Sequence, residues 1–180
     1  MQGRVISLSK SDVHGFTKKI CDAVELIAGL GIAGDAHAGR TVQHRSRVAA
    51  DPSQPNLRQV HLIAAELLDD LKAQGFALAP GDLGENLLTG EIDFHALPQA
   101  ARLRFPSGAE LEVTGLRNPC AQIEAFMPGL LGKVAWRTER GELVRRAGIM
   151  AIVMIGGNVR LGDPITVSFP TGPHRPLERV

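Results

Sequence analysis

The pattern of apolar and polar positions predicts a chain made mainly of short strands. Alternation of the two classes, or a short apolar run bounded by turn residues, is typical of a β-strand. The segments that fit are residues 4–8, 23–28, 59–63, 84–88, 102–105, 109–114, 147–155 and 165–169. The turn residues Pro106, Ser107 and Gly108 predict that the two segments beside them pair as a hairpin.

Helical periodicity is confined to a few short stretches. Residues 64–75 place Leu67, Leu68 and Leu71 on one face and end at Gly75, which suits a helix C-terminus. Two further helical pieces are predicted, one from Cys120 to about residue 126 and one at residues 130–136. Short strands, frequent turns and few helices together predict a mainly β fold, a β-barrel with helical decoration.

One long segment, residues 35–58, shows neither the alternation of a strand nor the periodicity of a helix and is predicted to be a loop. A loop of this length in a compact domain is usually functional or disordered. Its first part, residues 35–47, is dense in histidine and arginine. This concentration of chemically capable side chains favours a functional role.

Length and composition narrow the class of protein. The 180 residues predict a single domain at 4–169, followed by an irregular tail at 170–180. The net charge of +1 gives no general attraction to nucleic acid or to an anionic membrane, and one Trp with no Tyr argues against a base-stacking surface. The longest apolar run, 149–155, is too short to cross a bilayer, and no signal-peptide core is present, so we expect a cytoplasmic protein with reduced cysteines.

The stretch around Cys120 carries the strongest chemical signal. Asn118 is predicted to be a helix N-cap and Pro119 the first helical residue, which would place Cys120 in the first turn. The helix dipole and the neighbouring Arg117 would favour a reactive thiolate there. The alternative, a small buried apolar cysteine, is equally compatible with the sequence.

Basic side chains could form an anion site. Arg40, Arg45, Arg47 and Arg58 carry guanidinium groups that suit phosphate or carboxylate, and Lys18 could add a contact. Arginines on a surface loop are also often simply solvated. The sequence leaves both interpretations open.

The histidines allow three interpretations. His37, His44 and His61, with Asp35, could hold a catalytic zinc ion, although no HExxH or CxxC spacing is present. They could instead hydrogen-bond the loop to itself, or line an anion pocket with the arginines.

Two glycine-containing turns could approach a ligand closely. Residues 29–34 lead into Asp35, but they form neither a Walker A motif nor a GxGxxG sequence that opens a helix, so a plain turn also fits. In the second turn, Glu85 and Asn86 could offer an acceptor and an amide to a heterocycle, or could form a hydrogen-bonded turn.

Three motifs, in this order, resemble those of the MOSC domain, the C-terminal domain of molybdenum-cofactor sulfurase. They are Gly34-Asp35, Gly84-Glu85-Asn86-Leu87 and Arg117-Asn118-Pro119-Cys120. The resemblance covers residues 4–169, and residues 34–47 and 56–63 are most similar to stand-alone bacterial members. It implies a closed β-barrel of the pyruvate-kinase type.

The resemblance also implies binding of the molybdenum cofactor, a pyranopterin that carries molybdenum and a phosphate. Cys120 matches the family's key cysteine, which ligates molybdenum in reductases of N-hydroxylated substrates and is thought to carry sulfur in sulfurases. The residues expected to contact the cofactor are Lys18, Gly34, Asp35, His37, Arg40, His44, Arg58, His61, Glu85, Asn86, Arg117 and Asn118.

Three functions therefore compete. The first is a cofactor-binding reductase component with Cys120 as metal ligand, which needs an electron-donor partner. The second is a sulfur carrier or cofactor-delivery module, with a persulfide on Cys120 supplied by a cysteine desulfurase. The third is a zinc hydrolase that uses the loop histidines. The aminotransferase-like domain of the full sulfurase is missing, so no pyridoxal phosphate site is expected.

Overall fold

Strands make up most of the molecule. The computed structural model describes the backbone of residues 1–180 and every side chain except those of Arg45 and Ser46. The strands are β1 (Gln2–Lys10), β2 (Lys19–Cys21), β3 (Ala23–Ile27), β4 (Gly31–Ile32), β5 (Val60–Ala64), β6 (Leu87–Gly90), β7 (Arg102–Arg104), β8 (Glu110–Leu116), β9 (Ala135–Arg137), β10 (Leu143–Arg145), β11 (Ile149–Ile155), β12 (Gly157–Arg160) and β13 (Pro164–Ser168). The helices are α1 (Arg45–Ala50), α2 (Ala65–Ala73), α3 (Ala121–Phe126) and α4 (Leu131–Val134), with a 3₁₀ turn at Phe94–Ala96.

Seven strands close into a barrel, as predicted. Their order is β1, β6, β5, β11, β8, β7 and β13, and the antiparallel pairing of β13 with β1 completes the circle. β5 and β6 pair in parallel, with Leu62 opposite Leu87. Because a parallel pair needs a crossover connection, the chain passes through α2 between these two strands.

Alternating side chains fill the barrel. On β11, Ile149, Ala151 and Val153 are buried in the main core, together with Leu111 and Val113 of β8. This alternation is the period-two pattern that predicted the strands.

A second apolar cluster fixes the helices outside the barrel wall. Leu67, Leu68 and Leu71 of α2 are buried there, as predicted. The same cluster includes Ile123 of α3 and Val134 of α4. It therefore holds the segment that follows Cys120 against the barrel.

Several short elements differ from the sequence prediction. The predicted loop at 35–58 contains α1, and the predicted helix at 130–136 ends at Val134 and continues as β9. β9 pairs with β10, and β12 begins at Gly157, where a break was predicted. These elements contain only three to six residues each, which is too short for either hydrophobic period to be recognised.

The tail beyond residue 169 contains no helix or extended strand but is docked on the barrel. The Gln99 N–H donates to the Arg175 carbonyl at 2.9 Å, and the Leu116 N–H donates to the Glu178 carbonyl at 2.7 Å. A Cβ at Gly115 would overlap the Glu178 carbonyl oxygen, so this contact requires glycine.

Among the described residues, the helices are too short or too polar to form a membrane-spanning segment.

Candidate functional site

A cavity of about 290 Å³ opens between the long loop, the segment before α3 and the ends of β5 and β6. It brings together nine of the residues expected to form the cofactor site. These are Lys18, His37, His44, Arg58, His61, Asn86, Arg117, Asn118 and Cys120. Arg47, from the predicted arginine cluster, also lines it.

Cys120 lies at the start of α3, whose N-cap falls two residues later in the sequence than predicted. It is itself the N-cap residue, with φ −132° and ψ 169°, and the helix begins at Ala121. The assignment of Asn118 as N-cap and of Cys120 to the first turn is therefore wrong. Pro119 favours extended backbone before it, and burial of Ile123 fixes the rotation of the helix. The half-buried Cys120 thiol lies 3.5 Å from the Gln122 Oε1 atom and borders the cavity.

Arg117 and Arg58 make this cavity strongly cationic. Burial lowers the pKa of Arg117, while nearby Cys120 and Glu85 oppose that shift. Burial, then the positive charges of Arg47 and Arg117, lower the pKa of Arg58 to about 10. The Nη1 atom of Arg117 is buried and has no hydrogen-bond partner among the described residues. Because unsatisfied buried donors are rare and costly, an anion, a carbonyl or a water molecule that reached this atom would be stabilising.

A buried polar network supports the cavity from behind. Asp35 Oδ2 accepts hydrogen bonds from Lys18 Nζ at 2.6 Å and from Asn86 Nδ2 at 2.9 Å, and Asp35 Oδ1 accepts one from the His37 N–H at 2.9 Å. Burial alone would raise the pKa of Asp35, but the bonds from His37 and the charge of Lys18 outweigh it and hold the pKa well below its usual range. Asp35 does not line the cavity; it positions Lys18 and Asn86, which do.

Two of the cavity histidines, His61 and His44, are poor candidates for cationic groups. The buried His61 donates from Nε2 to the Ala147 carbonyl at 2.9 Å. Burial and the charge of Arg117 lower the pKa of His61 well below its usual value, so its ring is neutral at pH 7. Burial and Arg58 likewise lower the pKa of His44.

The geometry does not support the zinc alternative. Among the described side chains, no group of three or more His, Cys, Asp or Glu residues is arranged to hold a metal ion. His61 Nε2 is committed to Ala147, and His37 Nδ1 lies 3.3 Å from Asp35 Oδ1.

Three other predicted residues lie away from the cavity wall. Gly34 forms a turn at φ +74°, and Arg40 is exposed to solvent. Glu85 is buried beneath the wall, where its Oε1 atom accepts the Gly81 N–H at 2.5 Å and burial raises its pKa. The side chain of Arg45 lies outside the described residues.

Sequence reasoning missed several lining residues. Gln43, Asn56, Gln122 and Met150 also face the cavity. Asn56 donates from Nδ2 to the carbonyls of His37 and Gly39, at 3.0 Å each, and so braces the loop. Met150 lies within an apolar run that is typical of a buried strand. Strand alternation is the signal that could have placed it, since its neighbour Ile149 points into the barrel.

Comparisons with known proteins agree with this fold. The family model described as "MOSC domain" matches residues 37–166. The chain belongs to the MOSC domain family. It is 32% identical over 191 aligned residues, covering all of this chain and 98% of the relative, to the Bacillus subtilis (strain 168) protein described as "Putative metal-sulfur cluster biosynthesis proteins YuaD".

Solved structures with the MOSC-type fold also superpose on this chain. The crystal structure of YuaD from Bacillus subtilis has a TM-score of 0.75 and 27% identity, covering 93% of this chain and 96% of that one. YiiM from Geobacillus stearothermophilus has a TM-score of 0.61 and 13% identity, covering 92% and 75%. At that identity, the likeness to YiiM shows the fold alone.

Proposed function

We propose that this MOSC protein binds the molybdenum cofactor and acts as a reductase component for N-hydroxylated substrates, with Cys120 as the sulfur ligand to the metal. The observation that carries the proposal is the buried, unpaired Nη1 atom of Arg117 in the cavity that Cys120 borders. A phosphate-bearing cofactor would supply the missing acceptor.

The residues around the cavity fit such a group. Arg58 and Arg117 provide positive charge for a phosphate, while the charge of Lys18 is balanced by Asp35. The amide of Asn118 provides donors and an acceptor for the edge of a pterin ring, whereas the Asn86 amide is bonded to Ser9, Asp35 and His61 and shapes the wall. The Cys120 sulfur is a soft ligand, of the type that thiophilic metals prefer. When bound, the cofactor would supply the oxygen-atom and electron chemistry of molybdenum.

The protein residues have separate tasks in this proposal. Arg117 is held above the Phe16 ring, 5.8 Å from its centroid, and balances the charge of the ligand. His61 stays neutral and fixed on Ala147, so it adds no further cationic charge to the cavity. Electrons must come from a partner protein, because Cys21 and Cys120 are the chain's two cysteines and cannot hold a four-cysteine iron–sulfur cluster.

A sulfur-carrier role is the second candidate, favoured by the similarity to YuaD, which is described as a putative metal-sulfur cluster biosynthesis protein. In this role, the Cys120 thiolate attacks the outer sulfur of a donor persulfide, such as that of a cysteine desulfurase. A new S–S bond forms on Cys120, the donor S–S bond breaks and the donor leaves as a thiolate. The exchange needs no external oxidant.

The test is expression in a host that makes the cofactor, followed by metal analysis and pterin measurement. We expect pterin and molybdenum near one per chain in the wild type, and loss of molybdenum in Cys120→Ser. Arg117→Gln should retain about ten-fold less pterin, because it removes a charged hydrogen-bond donor. Arg40→Gln, which changes an exposed arginine away from the cavity wall, is the charge-matched control and should retain the wild-type amount.

The alternatives give different results in the same experiment. Pterin and molybdenum retained in Cys120→Ser would exclude the metal-ligand role. A persulfide mass on wild-type Cys120 would then favour the sulfur carrier. Absence of both pterin and molybdenum from folded wild-type protein would contradict cofactor binding.

A further inference from the structure

A second cavity, of about 420 Å³, lies on the other side of the wall formed by the ends of β8 and β11. Leu116 and Ile149 line the second cavity. Arg117 and Met150, which follow them directly in the sequence, line the Cys120 cavity. The two cavities have no lining residue in common. The first turn of α2, the 3₁₀ turn at Phe94–Ala96 and the end of β10 complete the second cavity.

Arg145 contributes an unsatisfied cationic group to this second cavity. Its Nε atom is buried and has no hydrogen-bond partner among the described residues. The adjacent Arg146 also lines the cavity but is paired with Asp70 Oδ2 at 2.8 Å. A buried guanidinium N–H without an acceptor is costly, and a carboxylate is the group that best satisfies it.

The floor of the second cavity is apolar. Leu67, Ile92, Phe94 and Ile149 line it, and each of these side chains is buried. The combination of an apolar floor and a few polar groups, at this volume, is typical of a small-molecule site. The ligand should therefore carry a hydrocarbon body beside its carboxylate.

Three acidic residues also line this cavity and make a purely anionic ligand unfavourable. Glu66, Glu91 and Asp93 line the cavity. Glu91 adopts φ +67°, a strained conformation for a non-glycine residue, and its N–H donates to Glu66 Oε1 at 2.7 Å. Its own carboxylate pairs with Arg4, and Asp93 Oδ1 accepts the His95 N–H at 2.9 Å, which leaves Glu66 Oε2 and Asp93 Oδ2 to attract a ligand. They would repel a lone carboxylate and attract an ammonium group.

We propose that this cavity is a second ligand site, which binds a small zwitterion with an apolar body, such as an amino acid with a hydrophobic side chain. Arg145 binds the carboxylate, Glu66 and Asp93 attract the ammonium, and the apolar floor contacts the side chain. This site is separate from the proposed cofactor site, and the inference does not depend on the cofactor.

Isothermal titration calorimetry on the full chain, with three related probes, tests the proposal. L-phenylalanine carries both charges, 3-phenylpropionate lacks the ammonium and phenethylamine lacks the carboxylate. We expect L-phenylalanine to bind at least about ten-fold more tightly than either analogue, as charged hydrogen bonds of this kind predict. Absence of L-phenylalanine binding, or equally tight binding of 3-phenylpropionate, would overturn the proposal.

Variants then test the role of Arg145. Arg145→Gln should weaken L-phenylalanine binding by about ten-fold or more. Arg140→Gln, at an exposed position of the same β9–β10 hairpin, is the charge-matched control and should bind like the wild type. If Arg145→Gln does not fold, Arg145→Lys preserves the charge without the planar fork and should still bind more weakly than the wild type. Unchanged binding in a folded Arg145 variant would refute the assignment.

Discussion

Lys18 Nζ lies 2.6 Å from Asp35 Oδ2, with only 4% and 1% of the two side chains exposed. Lys18 lines the Cys120 cavity, whereas Asp35 stands behind it and also holds Asn86. The carboxylate therefore acts on the site through the groups it positions. Removing its charge would leave a buried ammonium without a partner.

Asp35→Asn should lower the free energy of unfolding by about 3–5 kcal/mol, because breaking one side of a buried ion pair leaves an uncompensated charge. Urea denaturation measures this change. Asp12→Asn, at an exposed position in the neighbouring loop, serves as control and should stay within about 0.5 kcal/mol of the wild type. A loss below about 1 kcal/mol for Asp35→Asn would show that the pair contributes little to stability.

Acid should destabilise the protein through His61 from about pH 6.5 downward. The pKa of His61 is lowered in the folded state, so below pH 6.5 the unfolded chain binds a proton that the folded chain does not. The contribution of His61 to the free energy of unfolding is therefore fully present above the pKa of histidine in the unfolded chain. Below that pKa it decreases by up to about 1.4 kcal/mol for each pH unit. Urea titrations at about pH 7.5 and about pH 5.5 measure the slope.

His61→Gln should flatten that slope, while the exposed His95→Gln should leave it unchanged. The lowered pKa of His44 acts with the same sign, so part of the slope should persist in His61→Gln. An unaltered slope in His61→Gln would contradict the assignment of a neutral, buried imidazole.

Cys120 should react with iodoacetate about ten-fold faster than Cys21 at pH 7. Burial raises the pKa of Cys21 and reduces its thiolate fraction, whereas Cys120 borders a cavity where Arg58 and Arg117 attract an anionic reagent. Peptide mass mapping over time measures both rates. Cys120→Ser should leave only the slow reaction and Cys21→Ser only the fast one, and equal rates in the wild type would argue against a cationic site.

Gly148→Ala should lower the free energy of unfolding by about 2–4 kcal/mol. Gly148 has φ +94°, and an added Cβ would overlap the Leu62 carbonyl oxygen and lie 2.9 Å from His61 Nε2. Thermal unfolding measures the effect. Gly132→Ala is the matched control because a Cβ there meets no atom within 4 Å, and it should be neutral or stabilising by up to about 1 kcal/mol. If Gly148→Ala left the free energy of unfolding unchanged, the contact between β5 and β11 would be able to relax.

The sequence predicted the long, strongly patterned elements well. Strand β11 and helix α2 both lie where their periods place them, because each buries several alternating or helically spaced side chains. The closed barrel followed from the family motifs and from the number of short strands. The hairpin of β9 and β10 was not predicted, because its strands have three residues each.

The candidate site was predictable in its residue types but not in its details. Arg40 and Arg47 are equivalent in the sequence, yet α1 presents Arg47 to the cavity while Arg40 stays exposed. Cys120 was recognised, but its position in the helix register depends on how Ile123 packs in the second apolar cluster. Such choices are made by tertiary contacts that no local pattern encodes.

The pairing of β1 with β13 also has a consequence for biosynthesis. Gln2 lies opposite Thr166, so β1 leaves the ribosome before the other barrel strands and meets β13 only after the residues between them have been made. At ordinary translation rates, that edge of β1 stays open for a time on the order of ten seconds. An unpaired strand edge can associate with other chains, so the nascent protein should depend on a chaperone until the barrel closes.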